Sequence, residues 1–385
     1  MASFEGLNWT AFQLATGNVI CHLPGIELMT GALTVTIGQV ETAQVALNVT
    51  PRTAPEWYSA TQPGGAGLIA WTGDPDGPTI IYGGLVQQRS RSNYSRVLLT
   101  LATGEDYLRG CYVGSFSQQA VNQDTIVAAL MAFANGTNQL PWTLNHVPIA
   151  STQLQTISYT GLSAVTVLRG LQELSALSGG PEWTVTWNWN QAASTITPVF
   201  NYGQRIGTPA PNGVPAVTIR STDLQDGAAF VEDYSEGMGA NQVTVYSGNN
   251  STTASTGVGP SATAPASITP AWLNGRPLWQ FQYQPNTTTT DATALAAYAA
   301  AAANQLQNGA QPLSLTLPRR RGKKQFGSGY GSPGKQFGTD WNLGDDIGYE
   351  LTGPVFPVPV SGIARVVGYQ VAHESITPVL QGAKL

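Results

Sequence analysis

The sequence predicts an α+β chain dominated by β structure, multidomain, with β-barrel or sandwich domains and a small helix-containing domain. Three observations carry that expectation. Short runs that alternate apolar and polar residues return every ~8–12 positions through the first part of the chain, the texture of a barrel or sandwich. Three stretches with apolar residues three or four apart interrupt this texture later on, and each reads as a helix. Glycine (43) and proline (25) are abundant, while Asp, Glu, Lys and Arg make up only 10% of the chain, against a usual ~25%. The 385 residues suffice for two to four domains at roughly 100–200 residues each. A chain with so few charges looks like a part that buries much of its surface in an assembly.

The first β domain is expected over 1–115. Ala32–Ile37 alternates as a half-buried strand does, and Val45–Val49 follows. The prolines of Thr50–Pro55 then end the pattern, because proline cannot donate to a ladder. Asp74-Pro-Asp-Gly77 is a turn signal, since proline presets φ and glycine accepts φ > 0. Thr79–Tyr82 and Leu85–Arg89 read as two strands broken at Gly83-Gly84, and Ser95–Leu101 as the next.

An α/β insert with two helices is expected over 116–205. Asn122–Asp124 is an N-cap signal ahead of Thr125–Ala134, where Ile126, Leu130 and Phe133 share a face and Asn135-Gly136 stops the helix. A second helix is expected from Ser163 to Gly179-Gly180, with Ser163 as cap. Pro181–Trp189 reads as a strand with Trp183, Val185, Trp187 and Trp189 on one core-facing side.

A second β domain fills 206–385. Pro215–Ile219 and Asn241–Tyr246 read as strands that flank an acidic patch, Glu232-Asp233-Tyr234-Ser235-Glu236. Residues 248–266 read as a loop, and Trp272–Tyr283 as a strand. An Ala-rich helix is expected from Asp291 to about Asn308, with a stripe of Leu295, Tyr298 and Leu306. Leu343–Leu351 and Ile363–Val371 form a closing hairpin around a proline-rich turn at Pro354–Pro359.

A search for chemistry returns little. His22, His146 and His373 form no metal-ligand spacing with each other or with Cys21 and Cys111, which read as two free thiols. No cofactor and no metal is expected. The carboxylate pairs Asp74/Asp76, Glu232/Asp233 and Asp345/Asp346 are neighbours in sequence, so they do not flank a substrate from opposite sides as a hydrolase needs. The start of the chain lacks the basic and apolar regions of a signal peptide. The apolar run Ala294–Ala303 is shorter than the ~20 residues a bilayer demands. Synthesis in the cytoplasm and no membrane for the folded subunit are the expectations.

One segment stands out. Arg319, Arg320, Arg321, Lys323, Lys324 and Lys335 gather six of the seventeen basic residues into a Gly-rich loop at 318–338. Its repeated Lys-Gln-Phe-Gly tetrapeptide adds Phe326 and Phe337. Three readings stand side by side: a solvated loop tip, an arm that docks on an acidic neighbouring subunit through ion pairs and aromatic anchors, and a single-stranded nucleic-acid contact.

Val231–Tyr246, Leu343–Leu351 and Ala364–Val371 resemble minor tail proteins of siphophages that infect actinobacteria. Leu171–Ser175 followed by Gly179–Trp183 is similar to the same group. The resemblance runs from about Thr125 onward. It implies a tail-tip subunit of the baseplate-hub type: a homotrimer with two barrel domains per subunit and no catalytic residues in the barrels. Such a subunit joins the tail tube, a distal tail ring and the tape-measure protein to host-facing fibres, and DNA meets it only in passage during genome ejection. The expected location is the virion tail tip. The chain stops at Leu385 without the long extension of many relatives, which leaves hub and adjacent tip ring both open. Two rival functions are a tail-associated cell-wall hydrolase and a carbohydrate-binding adhesin that uses Trp183, Trp187 and Trp189.

Overall fold

The computed structural model describes residues 7–29, 31–51, 53, 55–73, 78–91, 95–136, 139–147, 154–161, 164–176, 180–224, 228–230, 233–246, 261–283, 292–307, 313–318, 335–354, 356–372 and 375–381. The chain forms two compact units. The first combines 1–228 with 315–382, and the second is built from 229–314. The boundaries expected at 115 and 205 both lie inside the first unit.

The first unit opens with β1 (Asn8–Gln13), β2 (Val19–His22), β3 (Ile26–Leu28), β4 (Leu33–Thr36), β5 (Thr42–Asn48), the single turn α1 (Trp57–Ala60), β6 (Ala66–Thr72), β7 (Thr79–Arg91) and β8 (Arg96–Thr103). Seven of these strands make one antiparallel sheet in the order β2-β1-β6-β7-β8-β5-β3. Its two edge strands, β2 and β3, are joined by only Leu23–Gly25. So short a link holds the two edges within about 14 Å, which curls the sheet into a half-barrel.

β7 corrects one expectation. Gly83 and Gly84 do not break it; the strand runs through them for thirteen residues. The glycines are there because a side chain has no room. A Cβ on Gly83 would lie 2.1 Å from the Trp187 ring.

β9 (Phe116–Asn122), α2 (Gln123–Met131), β10 (Thr143–His146), β11 (Leu154–Tyr159), α3 (Val167–Ser175), β12 (Glu182–Asn190) and β13 (Thr195–Gly203) follow. Asn122 caps α2, its side chain accepting from Asp124 N–H at 2.8 Å. The cap of α3 is Thr166, which accepts from Arg169 N–H, so this helix starts later than a Ser163 cap would place it; Ser163 lies outside the described residues. β12 pairs antiparallel with β13, and β13 pairs parallel with β10. Helices and strands share one core, in which Phe12, Ile69 and Trp71 of the half-barrel meet Ile126 and Leu130 of α2, Leu171 of α3, and Trp183 and Phe200 of the β12–β13 hairpin.

The end of the chain completes this unit. Asp346–Gly353 and Phe356–Val371 pair as the expected hairpin, but prolines 357 and 359 lie within the second strand rather than in a long turn. They sit where the register slips between Leu351 and Gly353, a place where a missing N–H does no harm. The long strand also pairs with Ser375–Gln381 and, from the other end of the sequence, with β4. Thr218–Arg220 adds a parallel edge. Arg365 of this sheet donates to both carboxylate oxygens of Glu182 and to the Ile206 carbonyl, and this pair is mostly shielded from water.

In the second unit Gln242–Tyr246 is the central strand, antiparallel to Ser261–Ala264 and parallel to Gln280–Tyr283. Ser261–Ala264 lies in what the sequence presents as a loop. Trp272 is not in a strand: Thr269 caps a single turn, Pro270–Leu273, which the left-handed Asn274 ends. The helix Ala292–Leu306 buries Leu295, Ala299 and Ala303 against Val243 and Val245. Tyr298 instead faces solvent, because the alanines allow the closer approach. Among the described residues no helix is long and apolar enough to cross a membrane.

We expect Gly83→Val to lower stability in urea by ~1–3 kcal/mol, as overpacking does. The double change Gly83→Val with Trp187→Leu should cost less than the two single changes added, because the pair is in contact.

Candidate functional site

The sequence-predicted contact residues divide in two. Arg319, Arg320, Arg321, Lys323, Lys324 and Phe326 lie outside the described residues. Lys335 and Phe337 are described and half-buried. The Lys335 carbonyl accepts from the buried Trp341 indole at 3.4 Å. The Phe337 ring lies 5.2 Å from the Trp341 ring and 4.5 Å from the Tyr369 ring. The C-terminal end of the basic segment is therefore pinned to its own chain by an aromatic cluster.

The residues weighed for chemistry have structural partners. Asp345 accepts from the N–H groups of Thr208 and Asn342, and Asp346 accepts from Arg205 and from Ala210 N–H. Both acids thus fasten the 205–210 segment and its turn to the last hairpin. Asp233 accepts from Ser235 N–H, and these bonds lower its pKa; Glu232, Asp74 and Asp76 lie outside the described residues. His22 shares a hydrogen bond with the Thr10 hydroxyl, and His146 with Asp124, each at 2.8 Å; His373 is not described. Cys21 and Cys111 are both free, and burial raises both thiols. Among the described residues no group of three or more His, Cys, Asp or Glu side chains is placed to hold a metal ion.

The tryptophans of β12 turn inward. Trp183 is fully buried and stacks on Phe200. Trp187 meets Phe12 edge-on at 5.1 Å, and Trp189 meets Trp71 at 5.5 Å. They dock the β12–β13 hairpin on the half-barrel, and Trp189 also lines a pocket beside Trp71 and His22.

The structure singles out a residue the sequence does not. Glu105 follows β8 and is 1% exposed. Its Oε1 accepts from the Val185 N–H at 2.8 Å. β12 is the edge of its sheet, and an edge N–H in the interior needs an acceptor; Glu105 supplies it. Burial pushes the Glu105 carboxyl up to about 7, against smaller lowering by the hydrogen bonds it accepts. Its Oε2, the Tyr82 hydroxyl and the Thr184 hydroxyl are buried with no hydrogen-bond partner among the described residues. Glu105, Tyr82 and Thr184 line one cavity of about 290 Å³, together with Trp187, Phe337 and Tyr369. Nothing near Glu105 in the sequence marks it, because the partner that buries it is eighty positions away.

No protein-family model matches the chain, and none of the curated proteins does. Solved structures do. A 43 kDa tail protein of prophage MuSo2 from Shewanella oneidensis superposes with a TM-score of 0.54 at 11% identity, covering 97% of this chain and 98% of that one. The chain shares the fold of that protein. A tail protein from Neisseria meningitidis MC58 matches with a TM-score of 0.50 at 11% identity, covering 97% of both chains. A chain of the Francisella PdpA–VgrG complex matches with a TM-score of 0.53 at 6% identity, covering 99% of this chain and 58% of that one. At these identities the likeness is one of fold: a β-dominated tail-protein architecture with several sheets and a half-barrel.

The Glu105 carboxyl gives a pH test. Its pKa is raised in the folded state, so its contribution to stability is present below the ordinary carboxylate range and is lost as the pH rises through about 7. The urea midpoint of the protein should therefore fall between about pH 5 and about pH 8. In Glu105→Gln, whose amide oxygen still serves Val185, that fall should be smaller.

Proposed function

We propose that the chain is a structural subunit of a phage-type tail. The observation that carries this reading is the end-to-end likeness to a solved prophage tail protein, over 97% of this chain and 98% of that one. Both units of the chain fall inside the match. The likeness to the VgrG complex of Francisella supports a related reading, a subunit that works in contact with other tail components. Low charge, at 10% of residues, suits a protein whose faces are covered by neighbours.

The finer reading is a tail-tip hub of a siphophage. In it the chain forms a homotrimeric ring, joins the tube and tape-measure protein to distal fibres, lets DNA pass at ejection, and acts by assembly without catalysis. The basic segment, Arg319 to Lys335, is its docking arm: cations reach an acidic neighbouring subunit while Phe337 roots the arm in its own chain.

Two measurements test this. Mass determination of the purified protein should give three copies, and the protein should be present in tail particles; a monomer absent from particles defeats the reading. Replacing Arg319, Arg320 and Arg321 by alanine should leave the unfolding midpoint of the isolated subunit unchanged and reduce incorporation into particles severalfold. Unchanged incorporation removes the docking role of the arm.

A further inference from the structure

The cavity floored by Glu105 has no part in assembly as argued above. It measures about 290 Å³, at the small end of the ~300–1,000 Å³ that small-molecule sites occupy. Exposed Thr186 and Asn342 stand on its lining, while Glu105, Tyr82 and Thr184 are each at most 2% exposed. The three buried groups present Glu105 Oε2, Tyr82 Oη and Thr184 Oγ1 without partners among the described residues. An unmet buried polar group costs ~1–3 kcal/mol, so three around one cavity call for something that bonds them.

We propose that this cavity binds a small uncharged molecule rich in hydroxyl groups, of about the size of one sugar ring. The lining chooses the class. Among the described residues no Lys, Arg or His lines it, so an anion finds no counter-charge there. A cation would need an ionised carboxylate, which deep burial opposes. A phenol, a hydroxyl and a protonated carboxyl each both donate and accept, and a ring of hydroxyls complements such groups. Trp187, Phe337 and Tyr369 give the apolar wall that the C–H faces of such a ring require.

The test uses the full chain at about pH 5.5, below the Glu105 value of about 7, with glucose, galactose, arabinose and N-acetylglucosamine as probes and sodium lactate and choline chloride as charged controls. At least one sugar should raise the thermal midpoint in a saturating manner; at about ten times its Kd it multiplies the folded-to-unfolded ratio about elevenfold. Tyr82→Phe removes only an unpartnered hydroxyl, so it should fold, and it should weaken that sugar about tenfold or more. Crystals soaked in the sugar should show it against Glu105. The proposal fails if no sugar shifts the midpoint, if the charged controls bind as tightly, if Tyr82→Phe binds the sugar unchanged, or if soaked crystals hold only water. A subunit that ignores every sugar yet assembles into tails would end this proposal and leave the structural reading standing.

Discussion

The first unit depends on how one strand, β12, is held. Its inward side chains lie on the half-barrel: Trp187 against Phe12, Trp189 against Trp71. Its outer edge is met by the chain itself, where Gly38 N–H donates to the Trp183 carbonyl and Glu105 accepts from Val185 N–H. Its first residue, Glu182, takes the Arg365 guanidinium from the C-terminal sheet. Half-barrel, insert and last hairpin therefore converge on nine residues. Burying large aromatic surface drives this convergence, and the satisfied edge keeps the strand from pairing with foreign chains.

Two local compromises make the docking possible. Gly83 gives up side-chain packing inside a strand, a position where glycine weakens β structure, so that the Trp187 ring can sit against its backbone. Gly104 makes the same concession to Val185. Glu105, next to it, is carried into the interior, where a charge is expensive. The raised carboxyl is the consequence, and the polar groups around it define a cavity that an all-apolar core would have closed.

The second unit is inserted between two passes of the chain through the first, and it is built on different terms. Its core is small, with Leu295, Ala299 and Ala303 of one helix on Val243 and Val245 of one strand. Ala299 and Ala303 let helix and sheet approach closely, and the bulkier Tyr298 stays exposed. Trp279, Leu278 and Met238 are also exposed on this unit.

The features legible from the residues alone are local. Alternation marked β5, β7 and β8 of the half-barrel, the Asn122 cap and the Ile126–Leu130 face marked α2, and the tryptophan face of β12 was legible as core, because each signal is written within a dozen residues; β1, β2, β3 and β6 carry no such signal. The β-dominated class followed from the same signals. Every feature whose cause lies far away in the chain had to wait for the folded arrangement. Gly83-Gly84 reads as a break until Trp187 is laid on it, and Glu105 carries no mark until the fold sets it against Val185 N–H. β4 joins a sheet whose other strands come almost wholly from the C-terminus. The middle of the basic segment, which the sequence singles out for contact, lies outside the described residues, and its end is fixed where Phe337 pairs with the Tyr369 and Trp341 rings. Pattern reports what a residue needs; only the assembled chain reports which distant residue meets that need.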